Sequence, residues 1–296
     1  GLGGTMLNLG AGTTGYLRGT RTPPAGQPVL VQITGWPEDG KAPTVSSRLR
    51  LKGRFVILTP GAPGINVSRT IRDPDRRSQL EQLGRMTMEA APETAGLILR
   101  TTAGQSGEAE VKNEIDLLLR QLTDLQAGLA SGEAGCLLAA PSAVEIARRE
   151  WGDPDTLISG HIALSDLQDA LAALESPIVP LGEGFMSIEA TRALVAVDVN
   201  TGGDTSSAAG LKATIAALRE LPRQLRLRGL GGQITVDPAP FPRKHRKQVE
   251  TVVAGAFRTD DVETNFAGWT PLGHIELQRK RSRRPLKSED FQIAAE

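Results

Sequence analysis

The hydrophobic pattern along the chain changes its period several times. Over residues 1–50, short apolar or alternating runs at 5–9, 29–33 and 44–51 are separated by Gly-rich and Pro-rich turns. Such runs predict short strands of a small antiparallel barrel, or part of one. Residues 54–58 predict a further strand, 60–68 a loop and 95–100 another strand. Asp73 or Asp75 can cap a helix reaching about residue 90. Ser106 stands where it can cap a long helix. In that helix Val111, Ile115, Leu118, Leu119, Leu122 and Leu125 form one stripe, as a core-facing helix requires. From 129 to 178, short apolar runs alternate with helix signals at 142–151 and 165–174. Beyond 179 the expected order is strand (184–188), strand (193–199), helix (206–228), strand (233–236), helix (243–257) and strand (274–278). That βαβα order predicts a mostly parallel sheet, so the fold class is α/β with several subdomains.

Composition narrows the options. A 39% hydrophobic content over 296 residues supplies a sizeable core, and 33 glycines with 19 prolines stay below the range of low-complexity chains. The single cysteine, Cys136, excludes an intramolecular disulfide and a thiolate metal cluster. It fits a reducing compartment, with the cytoplasm as the expected location. No apolar run approaches the roughly 18 residues of a membrane-spanning helix. Aromatic residues are only 3%, which disfavours a broad base-stacking platform. Lys plus Arg balance Asp plus Glu at 34 each, but unevenly: residues 1–178 hold 17 basic and 20 acidic side chains, and 179–296 hold 17 and 14. Neutrality is therefore compatible with a polyanion site focused in the C-terminal part.

Several motifs fail on inspection. Gly10-Ala11-Gly12-Thr13-Thr14-Gly15 has the dinucleotide spacing, but the residues after it run to Pro23-Pro24 and cannot propagate the required helix. A glycine-rich turn accounts for it better. The three histidines, His161, His245 and His274, lack H-E-x-x-H spacing, and Gly104-Gln105-Ser106-Gly107-Glu108 misses the nucleophile elbow at its last position.

Two strand ends carry more. Leu194-Val195-Ala196-Val197-Asp198-Val199-Asn200 is apolar and places Asp198 and Asn200 on one face, because side chains alternate. Gln233-Ile234-Thr235-Val236-Asp237 also ends in Asp. If the two strands are parallel neighbours, a crossover sets both carboxylates at one sheet edge. Two hard oxygen ligands of that kind suit Mg²⁺. An Asp before Gly or Pro is also ordinary turn chemistry, and the residues alone leave both readings open. Basic clusters flank the second strand: Arg223, Arg226 and Arg228 before it, Arg243, Lys244, Arg246 and Lys247 after it. A third run, from Arg279 to Lys287, follows the last strand. Arginine forks match phosphate geometry, although a solvated basic surface gives the same runs.

The segments 186–202, 223–237 and 272–281 together resemble the catalytic strands of the ribonuclease E/G family, and the resemblance extends more weakly over most of the chain. It implies a Mg²⁺-dependent endoribonuclease that cuts single-stranded RNA in rRNA processing or mRNA decay and leaves a 5′-phosphate. Asp198 and Asp237 would be its metal ligands, and Asn200 would orient the scissile phosphate. The same resemblance implies a 5′-monophosphate sensor at Gly53, Ile57, Arg100 and Thr101. It implies RNA contacts at Tyr16, Lys41, Arg69, Arg226, Arg228, Arg279 and Arg281. It divides the chain into a shortened OB-type RNA-binding domain (1–50), a 5′-sensor subdomain (51–128), a ribonuclease H-like portion (129–178) and a DNase I-like catalytic domain (179–296).

This chain departs from the family pattern at Met6, which replaces an aromatic, and at Arg192 and Pro240, each of which replaces an acid. The cysteine pair that joins family subunits through zinc is absent. A zinc-linked tetramer is therefore not expected, and a homodimer stays compatible with the sequence. The competing reading is a non-catalytic RNA-binding scaffold of the same shape; a DNA nuclease is a third. Loss of cleavage with retained binding on removing both aspartates separates the first from the second, and competition by matched DNA tests the third.

Overall fold

The structure is a computed structural model that describes residues 3–19, 23–38, 40–156 and 165–287. The chain divides into two compact units, Gly1–Leu157 and Ile158–Glu296.

In the first unit, β1 (Gly4–Gly10) and β2 (Thr13–Arg18) form a hairpin. The failed dinucleotide motif is its turn, with left-handed backbone at Gly10, Ala11 and Gly12. β3 (Gln32–Ile33) and β4 (Thr44–Ser46) complete a sheet of order β1-β2-β4-β3. Among the described residues this sheet is open and mixed, since β2 and β4 run parallel. The pattern predicts a small antiparallel barrel or part of one; no closed barrel forms among the described residues, and the β2–β4 pair is parallel. Strands of two and three residues offer too few ladder hydrogen bonds to curl a sheet onto itself.

A second sheet of order β5-β6-β8-β7 follows, from β5 (Leu51–Lys52), β6 (Val56–Pro60), β7 (Gly64–Val67) and β8 (Ala95–Leu99). The segment expected to be a loop thus contains β7. The crossover from β7 to the parallel β8 is α1 (Pro74–Met88). Asp73 caps α1 by accepting from the Asp75 and Arg76 amides, and Pro74 takes the first helical position, where a missing N–H costs nothing. α2 (Glu108–Ala130) buries Val111, Ile115, Leu118, Leu122 and Leu125 against Val56, Leu58, Leu97 and Leu99. Each such side chain contributes about 1.5–3 kcal/mol. Gly107, not Ser106, caps this helix; the Ser106 hydroxyl donates instead to the Thr102 carbonyl. α3 (Ala143–Trp151) closes the unit, capped by Ser142 in a reciprocal box with Glu145, and buries no residue.

The second unit begins with α4 (Ser165–Glu175), followed by β9 (Ile178–Leu181), β10 (Gly184–Ala190) and β11 (Val195–Asn200). Then come α5 (Ser207–Leu227), β12 (Gly232–Asp237), α6 (Arg246–Arg258), β13 (Thr264–Trp269) and β14 (Ile275–Arg279). The sheet order is β13-β14-β12-β11-β10-β9. Only β11 and β12 pair in parallel; every other neighbour is antiparallel. The sheet is therefore mixed, which corrects the mostly parallel expectation: the α5 crossover makes β11 and β12 parallel neighbours, whereas the α6 crossover ends on β13, and β14 comes between β12 and β13 antiparallel to both. Val195, Val197, Val199, Ile234, Val236, Ile275 and Leu277 share one core with Leu218, Leu221 and Leu225 of α5 and Val249 and Val253 of α6. The alternate residues Ala196, Asp198, Gln233, Asp237 and Gln278 are exposed on the other face.

Gly210, in the first turn of α5, lies so close to the Pro240 carbonyl that a side chain has no room. This contact seats the loop that follows β12. Gly210→Ala is expected to destabilise the unit by about 1–3 kcal/mol, as overpacking does, read as a fall in the urea midpoint.

Candidate active site

Parallel pairing of β11 with β12 sets Val195 opposite Ile234 and continues to Asp198 opposite Asp237. The two aspartates are thus direct register partners at the carboxyl ends of adjacent strands, which lie about 4.8 Å apart. Both are exposed. Asn200, two residues on and on the same face, donates from Nδ2 to Asp198 Oδ2 at 2.7 Å. His274, just before β14, places Nε2 3.5 Å from Asp237 Oδ1. From the other side, Ser187 of β10 is the register partner of Asp198, and its hydroxyl donates to Glu189 Oε1 at 3.0 Å. Neither His274 nor Glu189 is flagged by local sequence. Strand parity would have offered Glu189; only the fold brings His274 to Asp237.

Among the described residues no three His, Cys, Asp or Glu side chains converge as a metal cluster. The donor set is two exposed carboxylates. That fits Mg²⁺, which keeps several waters and takes one or two carboxylates plus substrate phosphate. It does not fit a structural zinc, which needs four closed ligands.

The arginines divide sharply. Arg279, expected to contact RNA, is 1% exposed. Its Nη2 pairs with Asp260 Oδ1 at 3.3 Å and its Nη1 donates to Thr264 Oγ1 at 2.8 Å. Arg226 pairs with the other oxygen of Asp260 at 2.8 Å. Arg228 is also buried; it donates to Gln224 Oε1 and to the carbonyls of Ala173 and Ser176. Burial pushes the guanidinium pKa of both Arg228 and Arg279 downward, against the opposing influence of Glu220 and Asp260 respectively. Arg228 and Arg279, expected to contact RNA, are therefore built into the fold and do not face solvent, whereas Arg226 pairs with Asp260 while its side chain stays 37% exposed. Arg281 is half-buried, its guanidinium lying over Gly232. In the segment that follows β12, Arg243, Lys244 and Lys247 reach solvent, while Arg246 stacks on Trp269 at 4.6 Å.

In the first unit, Glu114 of α2 accepts the amides of Arg54, Phe55 and Val56. Its carboxylate fills the space that a side chain at Gly53 would need. The turn so fixed presents the Gly53 and Arg54 carbonyls to Arg100 Nη1, at 2.7 and 3.1 Å. Arg100 Nη2 reaches Glu150 of α3 at 2.7 Å. Ile57 is the register partner of Lys52, whose Nζ also meets Glu150, at 2.8 Å. Thr101 Oγ1 lies 3.0 Å from Ser68 Oγ, and Arg69 is exposed beside it. The fold thus gathers Gly53 and Arg100 around one spot, with Ile57 beside Lys52. On the first sheet, Tyr16 is the cross-strand partner of Met6, which is 56% exposed, and Lys41 pairs with Glu38.

This combination is a mixed sheet with paired strand-end aspartates, preceded by an α/β unit with a cation-lined turn. It matches a known protein class over most of its length. The model of the ribonuclease E/G family matches residues 50–157 and 159–282. Ribonuclease E of Nostoc sp. (strain PCC 7120) is 29% identical over 298 residues, covering 86% of this chain and 43% of that protein. Ribonuclease G of Salmonella typhimurium (strain SL1344) is 28% identical over 306 residues, covering 88% and 61%. Ribonuclease E of Escherichia coli (strain K12) is 28% identical over 303 residues, covering 86% and 28%. The chain belongs to the ribonuclease E/G family. It spans between 28% and 61% of the length of these relatives.

Proposed function

We propose that the chain is a Mg²⁺-dependent endoribonuclease acting on single-stranded RNA. The observation that carries this reading is the Asp198–Asp237 register pair at the edge of the parallel strands. Asp198 and Asp237 would hold the ion. Mg²⁺ bound there supplies a water of lowered pKa and a counter-charge for the phosphate oxygens. The chain's own groups prepare the reaction around it. Asn200 holds Asp198 through one amide hydrogen and keeps a second for a non-bridging phosphate oxygen. His274 steadies the Asp237 carboxylate. Arg243, Lys244 and Lys247 offset the charge of neighbouring phosphates. In-line attack of water at phosphorus then leaves a 5′-phosphate on one product and a 3′-hydroxyl on the other.

The test is a 5′-labelled single-stranded oligoribonucleotide incubated with the chain in Mg²⁺ and in EDTA. Cleavage only with Mg²⁺ is expected. Salt-sensitive binding without cleavage would favour the scaffold reading instead.

We also propose that Arg100, fixed by the Gly53 and Arg54 carbonyls, receives a 5′-monophosphate. Arg100→Ala is expected to cut the preference for 5′-monophosphate over 5′-hydroxyl RNA by about fivefold to tenfold, the worth of one charge-assisted hydrogen bond. Paired affinity measurements on matched oligonucleotides check it.

A further inference from the structure

The anion site around Arg100 is already occupied, and the occupant is the chain itself. Glu150 accepts from three cations: Lys52 Nζ at 2.8 Å and Arg149 Nε at 3.0 Å on Oε1, and Arg100 Nη2 at 2.7 Å on Oε2. Partial burial raises its pKa, but the hydrogen bonds from Lys52, Arg100 and Arg149 outweigh that and hold it at about 2. The carboxylate is therefore charged at neutral pH.

We propose that Glu150 is a built-in competitor for the phosphate site, a latch that a 5′-terminal phosphate must displace. The proposal rests on the 5′-phosphate reading given above. Three observations support it. First, Lys52 stands on β5 and Arg100 follows β8, and Arg100 Nη1 is independently fixed to two carbonyls. Arg100 thus keeps its place when Glu150 leaves, and Lys52 stays on its strand. Second, α3 buries no residue, and its Trp151 is 84% exposed. Little apolar burial opposes the movement, whereas a helix seated by a hydrophobic face would resist it. Third, the charges favour exchange for a chain end. A terminal monophosphate carries about −1.5 to −2 at neutral pH. The carboxylate carries one negative charge, and so does an internal phosphodiester. An internal phosphate gains little over Glu150; a terminal one gains a further charge against the same cations. The latch thus reserves the site for RNA ends.

The test uses the full chain without Mg²⁺ and two fluorescent oligoribonucleotides of one sequence, bearing 5′-monophosphate or 5′-hydroxyl. Glu150→Gln keeps the side chain's shape and removes its charge. It is expected to tighten binding of the 5′-monophosphate RNA about threefold to tenfold, by freeing a site that was mostly closed. The 5′-hydroxyl RNA, which reports the general gain in positive charge, should change by less than about twofold. A wild-type ratio near one that rises in Glu150→Gln also supports the latch. If Arg100→Ala lowers the wild-type ratio but Glu150→Gln leaves it unchanged, the latch is overturned and the 5′-phosphate reading stands. A ratio of one in the wild type and in both variants overturns both. Thermal unfolding guards against a trivial result. If Glu150→Gln is unfolded at the assay temperature, Glu150→Asp, with its shorter reach, is expected to shift the ratio in the same direction. Loss of the fold in both variants assigns Glu150 a structural role and overturns the proposal.

Discussion

Replacing Asp198 and Asp237 together by alanine is expected to abolish Mg²⁺-dependent RNA cleavage while leaving RNA affinity within about threefold. Both side chains are exposed, and neither carries core packing, so the fold loses little. The cleavage rate should fall by about 10³-fold or more. A metal's share of transition-state stabilisation is several kcal/mol, and each 1.36 kcal/mol is tenfold. Binding is expected to persist, because affinity for RNA comes chiefly from cations such as Arg243, Lys244 and Lys247. Removing two negative charges beside them should, if anything, tighten it. Single-turnover cleavage and anisotropy on the same oligonucleotide give both quantities. Cleavage that survives the double substitution would remove these aspartates from the chemistry.

The second large effect concerns stability. Asp260→Ala is expected to destabilise the C-terminal unit by about 3–5 kcal/mol, the cost of leaving a buried charge without its partner. The Asp260 side chain is fully buried and bridges Arg226 and Arg279. Arg279 is enclosed, with Phe257 6.0 Å away, and its Nε has no partner among the described residues. Losing Asp260 leaves that guanidinium with Thr264 as its nearest acceptor. Arg279→Met should cost much less, because it removes the charge that needed compensation and fills the same space. Urea denaturation of the two variants decides. Equal losses would mean that packing, not charge pairing, is what Asp260 and Arg279 supply.

The residues behind these two predictions separate what could be read along the chain from what could not. The period-two pattern of β11 puts Asp198 and Asn200 on one face, because strand parity is local. The opposition of Asp198 to Asp237 was legible only as a condition. Register across two strands depends on how the α5 crossover seats Val195 opposite Ile234, a matter of packing. The arginines show the converse. As a run of positive charge, Arg226, Arg228 and Arg279 looked like a phosphate surface. Yet Arg279 shares its parity with Ile275 and Leu277, the core face of β14. That signal was present in the sequence, and the charge pattern obscured it. For Arg228, at the C-terminal cap of α5, local sequence gave no such signal.

The sequence by itself determined most strands and helices of the C-terminal unit, though not β9 or β13, the faces of its acidic residues and the family resemblance. Hydrophobic period, capping residues and side-chain alternation act over a few residues, and so they are written locally. Tertiary structure alone decided which charges meet. It turned Arg228 and Arg279 inward, left the first sheet open, brought His274 to Asp237 and laid Glu150 across the cations of Lys52 and Arg100. Each of these joins residues far apart in the chain. Such pairings follow from the packing of whole elements, which no local pattern encodes.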